Sequence, residues 1–231
     1  MDLPIFFIDA FPSDNIITLN EDTSKHVVQV LRMKPLETLQ LTDGAGNLLT
    51  AQIVDDHKKR CTVKIVERQA VQKKKQEVCI AISLLKNSNR FEWFLEKATE
   101  IGVTEIIPLL CERTEKQHFR YDRMKQITIS AMLQSKQVWL PVLRQPTDVL
   151  KVISSSVYKT KLIAHCEEEM KVSLTDFYKE SDTQILIGPE GDFSNQEIVF
   201  ALDRAYQPVT LGETRLRTET AGVVAAALLC G

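Results

Sequence analysis

The chain has 231 residues, enough for one large domain or two small ones. With 44% apolar and 26% charged residues it reads as an ordinary globular protein, and a formal net charge of -2 excludes a polycation. Any nucleic-acid binding must therefore come from a local basic patch. Five cysteines, Cys61, Cys79, Cys111, Cys166 and Cys230, are widely spaced with no C-x-x-C pair, which supports neither a zinc site nor a disulfide framework. A reducing cytoplasm is the simplest compartment. The start of the chain has no basic region followed by an apolar one, and no run is long enough to span a bilayer, so neither a leader nor a membrane partner is expected.

The first 70 residues read as mostly β. Ile5-Phe6-Phe7-Ile8 is a short apolar run, residues 38–42 alternate, and Asp43-Gly44 supplies a turn. Residues 48–54 and 62–66 are further strands. One helix is expected where Asp22-Thr23-Ser24 offers a cap and Val27, Val30 and Leu31 share a face. Close strands with turn signals suggest a small barrel. The polar, basic stretch 71–76 reads as a linker.

From residue 77 the rhythm changes. Val78-Cys79-Ile80-Ala81-Ile82 is a continuous apolar run, as in a buried parallel strand. A helix over 91–101 ends at Gly102, residues 104–110 form a strand, and a helix over 123–138 stops before Pro141. Residues 161–164 and 184–187 are strands. A helix over 195–206 has Ser194 as its cap, 209–211 is a last strand, and 219–230 is a last, apolar helix. Alternating strands and helices imply a mainly parallel sheet covered on both faces, an α/β domain over 77–231.

Two glycine-containing loops stand at strand ends: Ile187-Gly188-Pro189-Glu190-Gly191-Asp192, and Leu211-Gly212-Glu213-Thr214-Arg215-Leu216-Arg217. Open α/β sheets bind ligands at that edge. Neither loop is a P-loop or a G-x-G-x-x-G fingerprint. They offer backbone groups rather than phosphate-binding side chains, which suits an adenine or a ribose. The bland reading of the first is a strand-to-helix turn, and of Arg215, Arg217 and Glu219 a plain salt bridge. His165 and Cys166, with Glu167, Glu168 and Glu169 behind them, lack the spacing of a metal site. Lys58-Lys59-Arg60 and Lys73-Lys74-Lys75 are either phosphate contacts or solvated faces.

In this order, the two loops resemble those of the RsmE family of ribosomal RNA methyltransferases, of the SPOUT class. Further elements agree: His26-Val27-Val28-Gln29-Val30-Leu31-Arg32, Lys86 with Arg90, residues 97–103, Glu112-Arg113-Thr114 and Gln134-Ser135. The likeness covers nearly the whole chain. It implies a PUA-like RNA-binding β-barrel over 1–70 and a SPOUT-type α/β trefoil-knot domain over 77–231. It also implies S-adenosyl-L-methionine as cofactor, methylation of uridine N3 in 16S ribosomal RNA within a small ribosomal subunit, and a homodimer. Alternatives are another RNA target on the same fold, or a catalytically silent ribosome-assembly factor.

The resemblance assigns His165, Ile187, Gly188, Pro189, Glu190, Gly191, Leu211, Gly212, Leu216, Arg217, Thr218, Glu219 and Thr220 to the cofactor. It assigns His26, Arg32, Lys34, Lys86, Arg90, Arg113 and Gln134 to RNA. Arg217 is the candidate catalytic cation, with Arg215 beside it; Glu190 holds either Arg217 or the cofactor. A sulfonium donor is already activated, so no metal is expected. The apolar Val223, Val224, Ala227 and Leu228 are core or subunit interface. The chain departs from the family pattern at several places: Leu3-Pro4-Ile5 lacks the usual arginine, Asp192 replaces a glycine, Gln137 replaces an arginine, and one arginine of the second loop is displaced to Arg215.

Overall fold

A computed structural model describes residues 3–115, 118–167, 170–177 and 181–231. Glu168 and Glu169, named above, lie outside the described residues, as does the very start of the N-terminal domain. The chain divides into two compact units. One joins the chain up to Lys73 with Met132–Leu140; the other joins Lys74–Ala131 with Pro141–Gly231.

The first unit is a five-stranded sheet. Its strands are β1 (Ile5–Phe7), β2 (Ile16–Thr18), β3 (Thr38–Thr42), β4 (Asn47–Asp55) and β5 (Thr62–Ala70), in the order β1-β3-β4-β5-β2. Inward residues alternate along β3 to β5: Leu39, Leu41, Leu49, Ala51, Ile53, Val63 and Ile65 are buried together with Val27 and Cys61. β2 was not legible as a strand. The expected helix is α1 (Glu21–Lys25), and its cap is Asn20, whose side chain accepts from Thr23 N at 2.8 Å, not Asp22 to Ser24. The helix then widens into a π-turn over His26–Val30, closed by Leu31 N donating to His26 O at 2.9 Å. That extra residue breaks the predicted shared face: Val27 is buried, whereas Val30 and Leu31 are 67% and 43% exposed.

Residues 132–140, placed by sequence in the second domain, pack in the first unit. Gly44 and Gly46 both have positive φ, and Gly46 N donates to Val138 O at 2.8 Å, while Leu140 N donates to Gly44 O at 2.8 Å. Trp139 lies on Gly46 and donates from Nε1 to Val71 O at 3.1 Å.

The second unit holds β6 (Val78–Ser83), α2 (Ser88–Ile101), β7 (Glu105–Leu110), α3 (Tyr121–Gln134), whose last turn runs into the first unit, β8 (Val142–Leu143), β9 (Thr147–Asp148), α4 (Val149–Ser155), β10 (Thr160–Ala164), β11 (Val172–Ser173), β12 (Thr183–Ile187), α5 (Asn195–Leu202), β13 (Gln207–Thr210) and α6 (Thr218–Cys230). The strands form one parallel sheet in the order β11-β13-β10-β12-β6-β7-β8, with β9 also on β7. β10 lies between β12 and β13, so two later strands flank an earlier one. Alternate residues face opposite layers. Ile80, Ile82, Ile185 and Ile187 pack with α2 and α6, while Ala81, Leu186 and Ile163 pack with α4 and α5.

Two helices end earlier than expected, and one was not expected at all. α3 ends at Gln134, because Lys136 adopts a left-handed φ of 56°. α5 ends at Leu202 and the chain turns at Ala205, φ 63°. α4, capped by the Asp148 side chain on Leu150 N and Lys151 N, was missed. Gly102 does close α2, at φ 98°, and Ser194 caps α5 in a reciprocal capping box with Glu197. Among the described residues no helix is long and apolar enough to cross a membrane, and no group of three or more His, Cys, Asp or Glu side chains is placed to hold a metal.

Candidate functional site

Parallel register decides where the site lies. Ala164 ends β10 opposite both Ile187 at the end of β12 and Val209 in β13. The loops leaving these strands therefore emerge side by side, at the carboxyl edge of the sheet. Between them is a cavity of about 830 Å³, all of it within the second unit. Such a volume suits a ligand of nucleoside size.

The loop after β12 carries the first glycine motif. Gly188 fits closely under Phe193, whose ring would stand 3.1 Å from an added Cβ. Asp192 N donates to Pro189 O at 2.9 Å, closing a turn. Arg113 clamps that turn from outside, donating from Nη1 to Gly191 O at 2.8 Å and to Phe193 O at 3.3 Å. Arg113 is itself set by a buried network: Thr114 Oγ1 accepts from Cys111 N at 2.9 Å, and the Glu197 carboxylate accepts from Glu112 N and Ser194 N, both at 2.8 Å. Burial, with Glu197 nearby, pushes the Cys111 thiol up to about 12.

Of the residues assigned to the cofactor, His165, Ile187, Gly188, Pro189, Glu190, Leu211, Gly212, Leu216, Arg217 and Thr218 line the cavity. Gly191, Glu219 and Thr220 do not. Glu219 is buried at the start of α6, where its Oε1 lies 3.6 Å from Arg90 Nε and its Oε2 has no hydrogen-bond partner among the described residues. Arg90, assigned to RNA, lines the cavity instead. Among the described residues Glu190 makes no hydrogen bond or ion pair with Arg217; its carboxylate accepts weakly from Lys86 N at 3.4 Å. The Lys86 ammonium is 2.7 Å from Glu115, whose hydrogen bond raises the lysine above its ordinary range.

Arg215 and Arg217 are exposed at the cavity and make no ion pair among the described residues. Arg217 is also the residue preceding α6, with its carbonyl accepting from Ala221 N at 2.8 Å. Arg215 and Arg217 thus bring two positive charges to a cavity wall that also carries Glu190, Asp192 and Glu213.

His26, Arg32, Lys34 and Gln134 are all exposed residues of the first unit. Arg32 is held in a left-handed backbone, φ 57°, and Lys34 Nζ lies 3.4 Å from Asp56. The ring of His26 meets the edge of Phe6, with centroids 5.6 Å apart. Gln134 joins this group only because residues 132–140 belong to the first unit.

Sequence reasoning missed several lining residues. Ala164, Val209 and Ala221 supply apolar wall, and Lys171 spans the turn after β10, donating to His165 O at 2.7 Å and Glu167 O at 2.6 Å. Strand-end position was the available signal for the first two; nothing local marks Lys171.

Two family models match the chain: an RNA methyltransferase domain over residues 72–230 and an RNA methyltransferase PUA domain over 19–66. The ribosomal RNA small subunit methyltransferase E of a Synechocystis species is 31% identical over 219 residues, covering 91% of this chain and 71% of that protein. Among solved structures, a probable rRNA-methyltransferase from Porphyromonas gingivalis superposes with a TM-score of 0.91 at 39% identity, covering 97% and 95% of the two chains. A ribosomal RNA small subunit methyltransferase E from Neisseria gonorrhoeae, bound to S-adenosyl methionine, gives a TM-score of 0.87 at 29% identity, covering 98% and 96%.

Proposed function

Since the chain belongs to the ribosomal RNA small subunit methyltransferase E family, with a PUA domain before a SPOUT-type methyltransferase domain, we propose that it methylates N3 of a uridine in 16S ribosomal RNA using S-adenosyl-L-methionine. The observation that carries this reading is the cavity at the ends of β10, β12 and β13. Its lining fits the donor. Ala164, Ile187, Val209, Leu211, Leu216 and Ala221 offer apolar wall to an adenine, and Glu190 and Glu213 offer carboxylates to an amino group or sulfonium. When bound, the donor supplies a methyl group already activated on sulfur.

The protein's own task is then alignment and charge. Uracil N3 carries a proton and becomes nucleophilic only when that proton is lost. Arg217, exposed at the cavity and without a carboxylate partner among the described residues, stabilises the negative charge on the base; Arg215 adds to the same field. The Gly188–Asp192 turn, fixed by Arg113, and the α6 terminus, fixed by packing, hold the donor and the base in line. Glu190 takes the cofactor role rather than that of an Arg217 partner. His26, Arg32, Lys34 and Gln134 present the RNA backbone from the first unit.

The active form is a homodimer in the cytoplasm, acting on the small ribosomal subunit. α6 has no charge beyond Glu219, and Val224 and Ala227 remain partly open on it, which suits burial against a second copy. Equilibrium sedimentation checks this. The decisive experiment for the activity is Arg217→Ala. Methyl transfer to 16S RNA should be lost while calorimetric binding of S-adenosylmethionine is retained; unchanged turnover would refute the role.

A further inference from the structure

Asp192 stands where the family's usual loop has a glycine, and its backbone explains that preference: φ is 65°, in the left-handed region. Aspartate tolerates this region better than most residues, and here its carboxylate is divided between two loops. Oδ1 accepts from Phe193 N at 2.8 Å, within its own turn. Oδ2 accepts from Cys166 N at 2.7 Å, in the turn that leaves β10. Lys171 holds the same turn from its other side, through the His165 and Glu167 carbonyls. The turn thus has its amide on a carboxylate and its carbonyls on an ammonium. Asp192, Cys166, His165 and Lys171 all line the cavity.

We propose that Asp192 is a positioning residue for the methyl donor: it latches the turn after β10 to the turn after β12 and so sets the width of the cavity between them. This rests on the assignment of the cavity to the donor. A glycine here satisfies the backbone but supplies no latch, whereas this chain has both. Both acceptor oxygens are engaged by amides, so the carboxylate acts on the donor through the wall it holds.

Two variants separate latch from backbone. Asp192→Gly keeps the left-handed conformation and removes both acceptors. Asp192→Asn keeps the conformation and one acceptor, and leaves only one oxygen for two amides. For each, we would measure S-adenosylmethionine affinity by calorimetry, turnover at saturating donor, the melting temperature, and the alkylation rate of Cys166 in the ligand-free protein by mass spectrometry. The donor dissociation constant should rise about tenfold, equivalent to about 1.4 kcal/mol, with a smaller change in turnover at saturation and the melting temperature little changed. Cys166 should alkylate faster: its amide is released, and the Asp192 charge that, after burial, holds its thiol high is removed. Unchanged affinity and unchanged alkylation in both variants would overturn the latch. A wild-type protein that does not bind S-adenosylmethionine would instead overturn the assignment of the cavity, and the donor role of Asp192 with it.

Discussion

Replacing Gly222 by alanine sets two effects of opposite sign against each other. In an open helix interior the change stabilises by about 0.8–1 kcal/mol, because glycine loses more backbone freedom on folding. In α6 the added Cβ would stand 2.6 Å from Cε2 and 2.8 Å from Cδ2 of Phe94, and 2.8 Å from Cδ1 of Ile82. Carbon atoms in contact rest at about 3.5–4.0 Å, so these neighbours must yield by roughly 1 Å. Both are fully buried between α2, α6 and β6, and Ile82 is stiff at χ1. Overpacking of this kind costs about 1–3 kcal/mol, and with two immobile neighbours the upper end applies. The net expectation is a loss of about 1–2 kcal/mol, or 2–4 °C in melting temperature per kcal/mol for a chain of this size. Urea unfolding followed by circular dichroism measures it. Because Thr218 and Ala221 of α6 line the cavity, Gly222→Ala should also weaken donor binding. A Gly222→Ala protein more stable than wild type would refute the close helix contact.

Gly46→Ala combines a φ of 89° with a Cβ driven into the Trp139 ring, and should cost about 3 kcal/mol and red-shift tryptophan emission as residues 132–140 detach; unchanged emission would count against that packing. Arg123 meets Glu92 through two hydrogen bonds, 2.6 and 2.8 Å, and holds its carboxyl below the ordinary range. The pair therefore stabilises at every pH above that range and loses its effect as pH falls through the lowered value. A Glu92→Gln, Arg123→Met double-mutant cycle should give favourable coupling near neutrality and none in acid; coupling that persists in acid would contradict the pairing. Tyr206 donates from its hydroxyl to the buried Gln184 side chain, and burial pushes the phenol up to about 12. Tyr206→Phe should cost about 1–2 kcal/mol by leaving that acceptor unpaired, as read from denaturant midpoints; no loss would mean the Gln184 amide has another donor.

Much of the fold was legible because its signals are local. Continuous apolar runs at β6 and β12 report strands buried on both faces, Gly102 reports a helix end, and Ser194 reports a helix start. What escaped depends on distant partners. The π-turn after α1 is fixed by packing of Val27 into the sheet, not by helical spacing. The placement of β10 between β12 and β13 leaves no periodic trace. Residues 135–138 read as helix because nothing local announces that Trp139 will lie on Gly46. At the site, the glycine loops and Arg217 were visible as motifs, whereas Glu219 read as a cofactor contact is engaged with Arg90, a pairing that only the packing of α6 on α2 creates.

The contribution of residues 132–140 to the first unit has a consequence for synthesis. A chain leaving the ribosome presents β1 to β5 first, yet the amide of Gly46 and the carbonyl of Val71 find their partners only at Val138 and Trp139. Between Ala70 and Leu140 translation takes several seconds at roughly 5–20 residues per second. During that interval the nascent sheet is complete in its strands but open along one flank, while β6, α2, β7 and α3 are already emerging behind it. The two units cannot mature strictly one after the other. The first closes only when most of the helix that leads to its missing segment has been made, and a fragment ending at the linker would carry the same open flank permanently.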